Sequence, residues 1–224
     1  MSRAISVNLI DVCDSLLPCR FGMDSADYRM LGLEDGPMRQ QDDAAHGVTE
    51  SEGHEWWYID AEFDGGILGL FIITKPMRSE DPALAVTVTL RLTNGPEVSK
   101  FETFSMEELY ASKESCDVLM GKIFFKGDLS RYEVHVEADG LGADVELVGT
   151  VAPWRPATGH MLFGEHDEAR FGTSQPVLLG SARVSIRSDG LERAVCHDDE
   201  RLFRLRRASD MVAMIGSRAL SACQ

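Results

Sequence analysis

The sequence has few cysteines and none of the spacings that build them into a site. Five cysteines are scattered over 224 residues, with no C-x-x-C pair and no cysteine–histidine cluster at zinc spacing. This pattern argues against a disulfide framework and is typical of free thiols in a reducing compartment. The histidines also lack the spacing of metal ligands. We therefore expect no metal and no cofactor.

Motifs for nucleotide and acyl chemistry are missing as well. The chain has no P-loop, no G-x-G-x-x-G and no G-x-S-x-G, and its one His-Glu pair lacks the second histidine of H-E-x-x-H. Basic residues are outnumbered, with 22 Lys and Arg against 37 Asp and Glu and a net charge of −15. Such a chain repels polyphosphate, so nucleic acid is not an expected partner.

Long hydrophobic runs are absent too. No window approaches the ~20 apolar residues that a membrane helix needs. Residues 5–17 are faintly apolar, but Asp11 and Asp14 interrupt them and no basic lead-in of a signal peptide precedes them. We therefore expect a cytoplasmic protein, and a loose membrane association is left open.

What the sequence does contain, from residue 54 onward, is a series of short β-type segments. Residues 84–93 alternate between two faces, with Val86, Val88 and Leu90 on one of them. Tight turns are indicated at residues 64–66 (DGG) and 94–96 (NGP). Further strands are predicted at residues 100–105, 122–126, 131–138, 144–151 and 182–187. Many short strands separated by turns predict an all-β, antiparallel sandwich or barrel of at least six strands.

The two ends of the chain differ from this β domain. Residues 1–45 lack sustained periodicity and are expected to form a partly irregular N-terminal arm. Residues 191–224 are interpreted as a linker or the stub of a second domain, and they contain the basic run 201–207 (RLFRLRR). Inside the β domain only residues 106–116 have helical character, with Ser105 as N-cap and acidic residues in the first turn.

Four blocks of the sequence resemble the carotenoid 1,2-hydratase (hydroxyneurosporene synthase) family of lipocalin-like proteins. They are residues 54–58 (HEWWY), 123–132 (IFFKGDLSRY), 152–160 (APWRPATGH) and 196–200 (CHDDE), and the third is the most specific. The resemblance extends over residues 46–198. It implies a lipocalin-like antiparallel β-barrel over residues 46–190, related to hydratases and cyclases of natural-product pathways.

The reaction that this resemblance implies is cofactor-free addition of water to an isolated isoprenoid double bond. Such chemistry needs a protonated acid in a dry pocket, with aromatic faces that stabilise a cation. The resemblance nominates Asp198 as the acid. The residues it nominates for binding an apolar substrate are Glu55, Trp56, Trp57, Tyr58, Trp154 and His160.

Structural roles compete with these functional ones. Because strand side chains alternate, Trp56 and Tyr58 face one side and Trp57 the other, so only one tryptophan of the pair points inward. Core packing is the more common role of such an aromatic strand. Residues 153–156 (PWRP) also fit a rigid corner, with Trp154 buried and Arg155 paired with a backbone carbonyl or an acid.

The resemblance leaves more than one function open. In the fourth block only His197 and Asp198 match, and this acidic segment also fits a solvated loop. Family members continue into a second barrel-like domain that is expected to begin about where this chain stops. The alternatives to a hydratase or cyclase are therefore a lipocalin-like carrier of a hydrophobic molecule and a truncated, inactive homologue. A homo-oligomer, or a partner chain that supplies the second domain, also stays open.

Overall fold

A computed structural model describes residues 18–46, 55–63, 66–74 and 83–188 of the chain. Two helical elements precede the main β region, the α-helix α1 (Ser25–Leu31) and a 3₁₀ helix (Gln40–Asp43), and a second 3₁₀ helix (Met106–Glu108) interrupts it. The strands, in chain order, are β1 (Cys19–Phe21), β2 (Trp56–Phe63), β3 (Gly66–Thr74), β4 (Ala83–Leu92), β5 (Glu97–Ser105), β6 (Leu109–Ala111), β7 (Asp117–Met120), β8 (Ile123–Gly127), β9 (Arg131–Ala138), β10 (Leu141–Gly149), β11 (His160–Phe163), β12 (Ala169–Gly172) and β13 (Gly180–Ser188).

The strands form three antiparallel sheets. One has four strands in the order β2-β3-β4-β5, and the largest has six in the order β13-β10-β9-β8-β7-β6. A small sheet has the order β1-β11-β12. The predicted all-β, antiparallel fold with at least six strands is thus confirmed. Within the described ranges no sheet closes on itself into a barrel.

The two larger sheets pack face to face through a shared apolar core. Residues of β3 alternate strictly between buried and partly exposed, and Leu70 and Ile72 are fully buried. On β4 the predicted inward residues Val86, Val88 and Leu90 are fully buried as well. These side chains meet the inward residues of β9 and β10 in one core cluster. Because side chains alternate between the two faces of each strand, the inward-facing apolar residues form a core between the two sheets.

The predicted hairpins connect neighbouring strands as expected. In the β2–β3 pair the register places Phe63 opposite Gly66, and in the β4–β5 pair it places Arg91 opposite Glu97. Gly66 approaches β4 so closely that a Cβ there would lie 2.0 Å from the Arg91 carbonyl oxygen. Because no real side chain tolerates that distance, glycine is required at this end of the hairpin.

The helix predicted for residues 106–116 is wrong. Only Met106–Glu108 is helical, as a single 3₁₀ turn at whose start the Ser105 N–H donates to Glu108 Oε2 at 3.0 Å. The chain then forms β6, whose residue Tyr110 pairs with Leu119 of β7. Pairing at the sheet edge therefore overrides the local helical pattern beyond the first turn.

The N-terminal arm is more regular than its sequence pattern predicts. Strand β1 pairs with β11, and the seven-residue α1 ends at Gly32 in the left-handed conformation that favours glycine. Arg20 joins the arm to the β domain: its guanidinium donates to both Asp27 oxygens (2.7 and 2.9 Å) and to Asp167 Oδ1 (3.1 Å). This contact and two backbone N–H donors hold the pKa of Asp27 far below its usual range. A helix of two turns is too short to give a recognisable periodicity.

None of the helices in the described ranges is long and apolar enough to cross a membrane.

Candidate functional site

Strand β2 separates the predicted aromatic wall into two environments. Trp57 is only 5% exposed and belongs to the core between the large sheets. Glu55, directly before the strand, is buried on the same side. Trp56 and Tyr58 lie on the opposite face and are partly exposed. The predicted alternation is confirmed, and Trp57 is the tryptophan of the pair that points inward.

The outer face of β2 carries an aromatic cluster of its own. The Trp56 ring centroid lies 6.0 Å from that of Phe71 on β3 and 6.4 Å from that of Phe171 on β12. Tyr58 meets Phe71 edge-on at 6.3 Å. Because Phe171 belongs to the small sheet, Trp56 helps to join that sheet to the four-stranded one.

The prediction that Trp154 is buried is wrong. Its side chain is 47% exposed, although its backbone forms an isolated β-bridge with Gln175. The neighbouring Arg155 points inward instead, since consecutive extended residues project to opposite sides. Arg155 donates to the carbonyl oxygens of Ala157 (2.8 Å) and Glu34 (3.0 Å), so its predicted pairing with backbone carbonyls is confirmed.

His160 lies on β11, away from the interior space beside Trp57. Its Nδ1 is 2.8 Å from the Thr158 carbonyl oxygen. Burial lowers the pKa of the imidazole, and the nearby positive charge of Arg170 adds to this effect. A neutral imidazole with Nδ1 as the donor fits this geometry. Asp198, the nominated acid, lies outside the described residues, and its predicted role stays a prediction.

The structure brings a different acid, the half-buried Asp43, to this region. Asp43, at the end of the first 3₁₀ helix, forms part of the wall of a cavity between the two large sheets. The cavity volume is about 40 Å³. Its walls are largely apolar or aromatic and are formed by Asp43, Trp57, Tyr58, Ile59, Asp60, Phe125, Tyr132, Leu147, Pro176 and Val177.

Asp43 is held by a tyrosine from the opposite side of the core. The Tyr132 hydroxyl, on β9, donates a short hydrogen bond to Asp43 Oδ2. The Tyr132 ring packs on Gly127 of β8, where a Cβ would lie 2.1 Å from a ring carbon. Glycine at position 127 is therefore needed for the ring to reach the acid. The thiol of Cys116 also contacts the Asp43 carboxyl.

The apolar surroundings of the Asp43 carboxyl change its acidity. Burial raises the pKa of Asp43 to about 7, against the opposing effect of the Tyr132 hydrogen bond. Burial also raises the pKa of Tyr132 far above its usual value, and the Asp43 charge adds to that shift. Asp43 is therefore largely protonated up to near-neutral pH, as a carboxyl group in apolar surroundings can be.

A second carboxyl approaches from the arm side. Both oxygens of buried Glu55 accept the His46 backbone N–H, at 3.0 and 3.2 Å. The Glu55 charge contributes to the raised pKa of Asp43. Within the part of the chain that the structure describes, no three His, Cys, Asp or Glu side chains are grouped to hold a metal ion.

Sequence reasoning missed Asp43 because its partners are distant in the chain. Asp43 and Tyr132 are 89 residues apart, and the segment around Asp43 shows no periodicity. Tyr132 did carry a signal, since it ends the second matching block and alternates with the inward-facing Val134 and Val136. That signal predicted an inward side chain but not its acidic partner.

Comparisons with known proteins add little to this geometry. No family model matches the chain. No curated protein matches it either. Among solved structures, a protein from Nitrosomonas europaea with the provisional name AttH is similar, with a TM-score of 0.40 and 16% sequence identity. The similarity covers 70% of this chain and 57% of that protein, so the chain spans less than two thirds of the length of its structural neighbour.

The two differently placed tryptophans predict different costs of truncation. Trp57→Ala removes a core side chain and is expected to lower the free energy of unfolding by about 3–5 kcal/mol. Trp154→Ala removes a half-exposed ring and leaves the backbone bridge intact, so its effect is expected to stay below about 1 kcal/mol. Urea unfolding of both variants measures the difference. Equal losses would contradict the placement of these rings.

Burial of Asp43 predicts a characteristic pH dependence of stability. A carboxyl whose pKa rises on folding binds more protons in the folded state, so stability falls as pH rises from about 4 to about 7 and is constant above that. The loss attributable to Asp43 is expected to be on the order of 4 kcal/mol at most. Asp43→Asn should remove this dependence while keeping an acceptor for Tyr132. Stability curves of wild type and variant that stay parallel from pH 4 to pH 8 would show that Asp43 titrates normally.

Proposed function

We propose that this chain is a cofactor-independent hydratase or cyclase that protonates an apolar, isoprenoid or polyketide-like molecule between its two large sheets. The observation that carries this proposal is the Asp43 carboxyl, protonated near neutral pH and placed at the wall of a largely apolar cavity. Protonation of an alkene needs a neutral acid in apolar surroundings, and Asp43 lies at a largely apolar cavity wall. The role that the resemblance gives to Asp198 is thus assigned here to Asp43.

The side chains around Asp43 suit the steps of such a reaction. Transfer of the Asp43 proton to the double bond gives a tertiary cation and leaves a carboxylate. The rings of Trp57 and Phe125, both on the cavity wall, offer π-faces to a cation. In a hydratase, water then adds to the cation and its proton returns to Asp43. In a cyclase, a second double bond attacks the cation, and the proton lost from the ring returns to Asp43.

Tyr132 stabilises the carboxylate that this transfer produces. Its hydroxyl donates to Asp43 Oδ2, and a hydrogen bond to a carboxylate is stronger than one to a neutral acid. The high pKa of Tyr132 keeps its own proton in place throughout. Asp43 is then the proton donor and Tyr132 its positioning partner.

The enclosing architecture of this proposal is a lipocalin-like barrel whose two halves are the facing sheets. The cavity of about 40 Å³ is well below the roughly 300–1,000 Å³ of typical small-molecule sites. It therefore admits only the end of an elongated apolar molecule.

The small cavity also favours a second candidate function, a carrier that holds an apolar molecule without turnover. The residues that line the cavity include no histidine, lysine or arginine that would activate a water molecule. A carrier needs only the apolar walls, whereas a hydratase or cyclase also needs the Asp43 proton. The two functions therefore differ in what Asp43→Asn does.

Ligand binding is tested with an uncharged apolar dye that quenches tryptophan emission. We expect wild type to bind it with little dependence on salt, since the walls are mostly apolar. Val177→Trp should fill the cavity and abolish binding, whereas Val151→Trp, at an exposed position, should not. Binding that survives Val177→Trp would place the ligand elsewhere.

Turnover is tested with an acyclic isoprenoid in deuterated water, where protonation of the double bond leaves deuterium on carbon. The proposed enzyme incorporates deuterium, and Asp43→Asn loses incorporation while still binding the dye. Incorporation that survives Asp43→Asn but is lost in Asp198→Asn would return the acid role to Asp198. Dye binding without incorporation in wild type would leave the carrier.

A further inference from the structure

Two stretches of the chain that contain no charged residue meet at one end of the six-stranded sheet. They are residues 147–154 (LVGTVAPW) and 171–182 (FGTSQPVLLGSA), in a chain of which 26% of the residues are charged. The first stretch leads out of β10 and the second leads into β13, and the pairing of these strands ends at Gly149 and Gly180. A protein with a net charge of −15 therefore presents a neutral surface at this end.

The two stretches stay paired with each other beyond the strands. The Thr150 N–H donates to the Leu179 carbonyl oxygen at 2.9 Å, and Trp154 and Gln175 exchange two backbone hydrogen bonds of 2.9 and 2.8 Å. We call residues 149–154 and 175–180 the paired loops. Because these backbone donors are satisfied within the protein, they can leave water without the cost of unpaired N–H groups.

The outward side chains at the paired loops are apolar. Trp154 is 47% exposed, and four aliphatic side chains on or next to the loops are exposed as well, namely Val148, Val151, Leu178 and Leu179. These five residues form the loop surface. Exposed apolar patches mark contact sites for proteins or membranes. A tryptophan, with a large apolar ring and one polar N–H, suits the boundary between lipid and water.

The inner side of the same loops forms part of the cavity wall. Pro176 and Val177 line the cavity between the large sheets, and Leu147, at the start of the first uncharged stretch, lines it too. The next two residues after Val177, Leu178 and Leu179, are exposed. Consecutive residues of one loop thus belong to the cavity wall and to the loop surface.

We propose that the paired loops dock on a lipid bilayer, with the loop surface among the headgroups and the upper acyl chains. The protein then lies on the membrane without spanning it. Its net charge of −15 opposes attraction to anionic lipids, so the occupant is a zwitterionic bilayer, bound by burial of apolar surface with little dependence on salt. Delivery of an apolar molecule from the bilayer to the cavity rests on the proposed function, whereas docking itself does not.

Docking is tested by flotation with vesicles of phosphatidylcholine. We expect wild type to float with the vesicles at low and at high salt. Leu178→Asp places a charge in the loop surface and should lower the partition coefficient by about tenfold or more. Phe101→Asp makes the same change in charge at a 59% exposed ring on β5, far from the loops in the fold, and should bind as wild type does.

Brominated phosphatidylcholine, which quenches tryptophans that enter the acyl region, shows which part of the protein touches the bilayer. Wild-type emission should be quenched. Trp154→Phe should still float but lose most of the quenching, because Trp57 is buried and Trp56 packs in an aromatic cluster on β2. Quenching that is unchanged in Trp154→Phe would place the contact elsewhere and contradict the proposal.

Wild type that does not float, or Leu178→Asp that floats equally well, would overturn the proposal. If Leu178→Asp does not fold, Val151→Asp replaces it, because Val151 is exposed on the facing loop. A wild-type dimer that Leu178→Asp makes monomeric, with no flotation, would overturn docking and make the loops an interface between two copies. Dye binding without flotation contradicts docking alone, whereas flotation without dye binding supports docking and contradicts the proposed ligand cavity.

Discussion

The hydrogen bond between Tyr132 and Asp43 connects parts of the chain that are 89 residues apart. It joins the N-terminal arm to the six-stranded sheet, and it places a carboxyl at the wall of the cavity between the sheets. The position of Tyr132 depends on Gly127, because any side chain there would collide with the ring. The site therefore depends on a tight β8–β9 pairing as much as on the acid itself.

The site keeps a polar group, the Asp43 carboxyl, in largely apolar surroundings. Burial disfavours the ionised form of Asp43 more than the Tyr132 hydrogen bond favours it, so the acid keeps its proton near neutral pH. The same burial protects the Tyr132 proton. A protein that needed Asp43 only for folding would gain from an uncharged residue there, since above neutral pH the buried charge costs stability. A carboxyl at this place suits a chemical role.

The sequence predicted those features that depend on local patterns. Alternation on β4 and β9, the antiparallel pairing of β2 with β3 and of β4 with β5, and the opposite directions of Trp56 and Trp57 are properties of neighbouring residues, and the structure confirms them. The helix at residues 106–116 and the burial of Trp154 were wrong because sheet pairing decided both. Asp43 could not be predicted, since its acidity arises from enclosure by segments that only the folded chain brings together.

The central claim is that Asp43 is a neutral acid near physiological pH. Its carboxyl carbon can be followed directly by ¹³C NMR as a function of pH, with Asp43→Asn used to assign the resonance. A titration midpoint at about 7 is the result that this account predicts. A midpoint near 4, the ordinary value for an aspartate, would contradict it and leave the cavity without its proton donor.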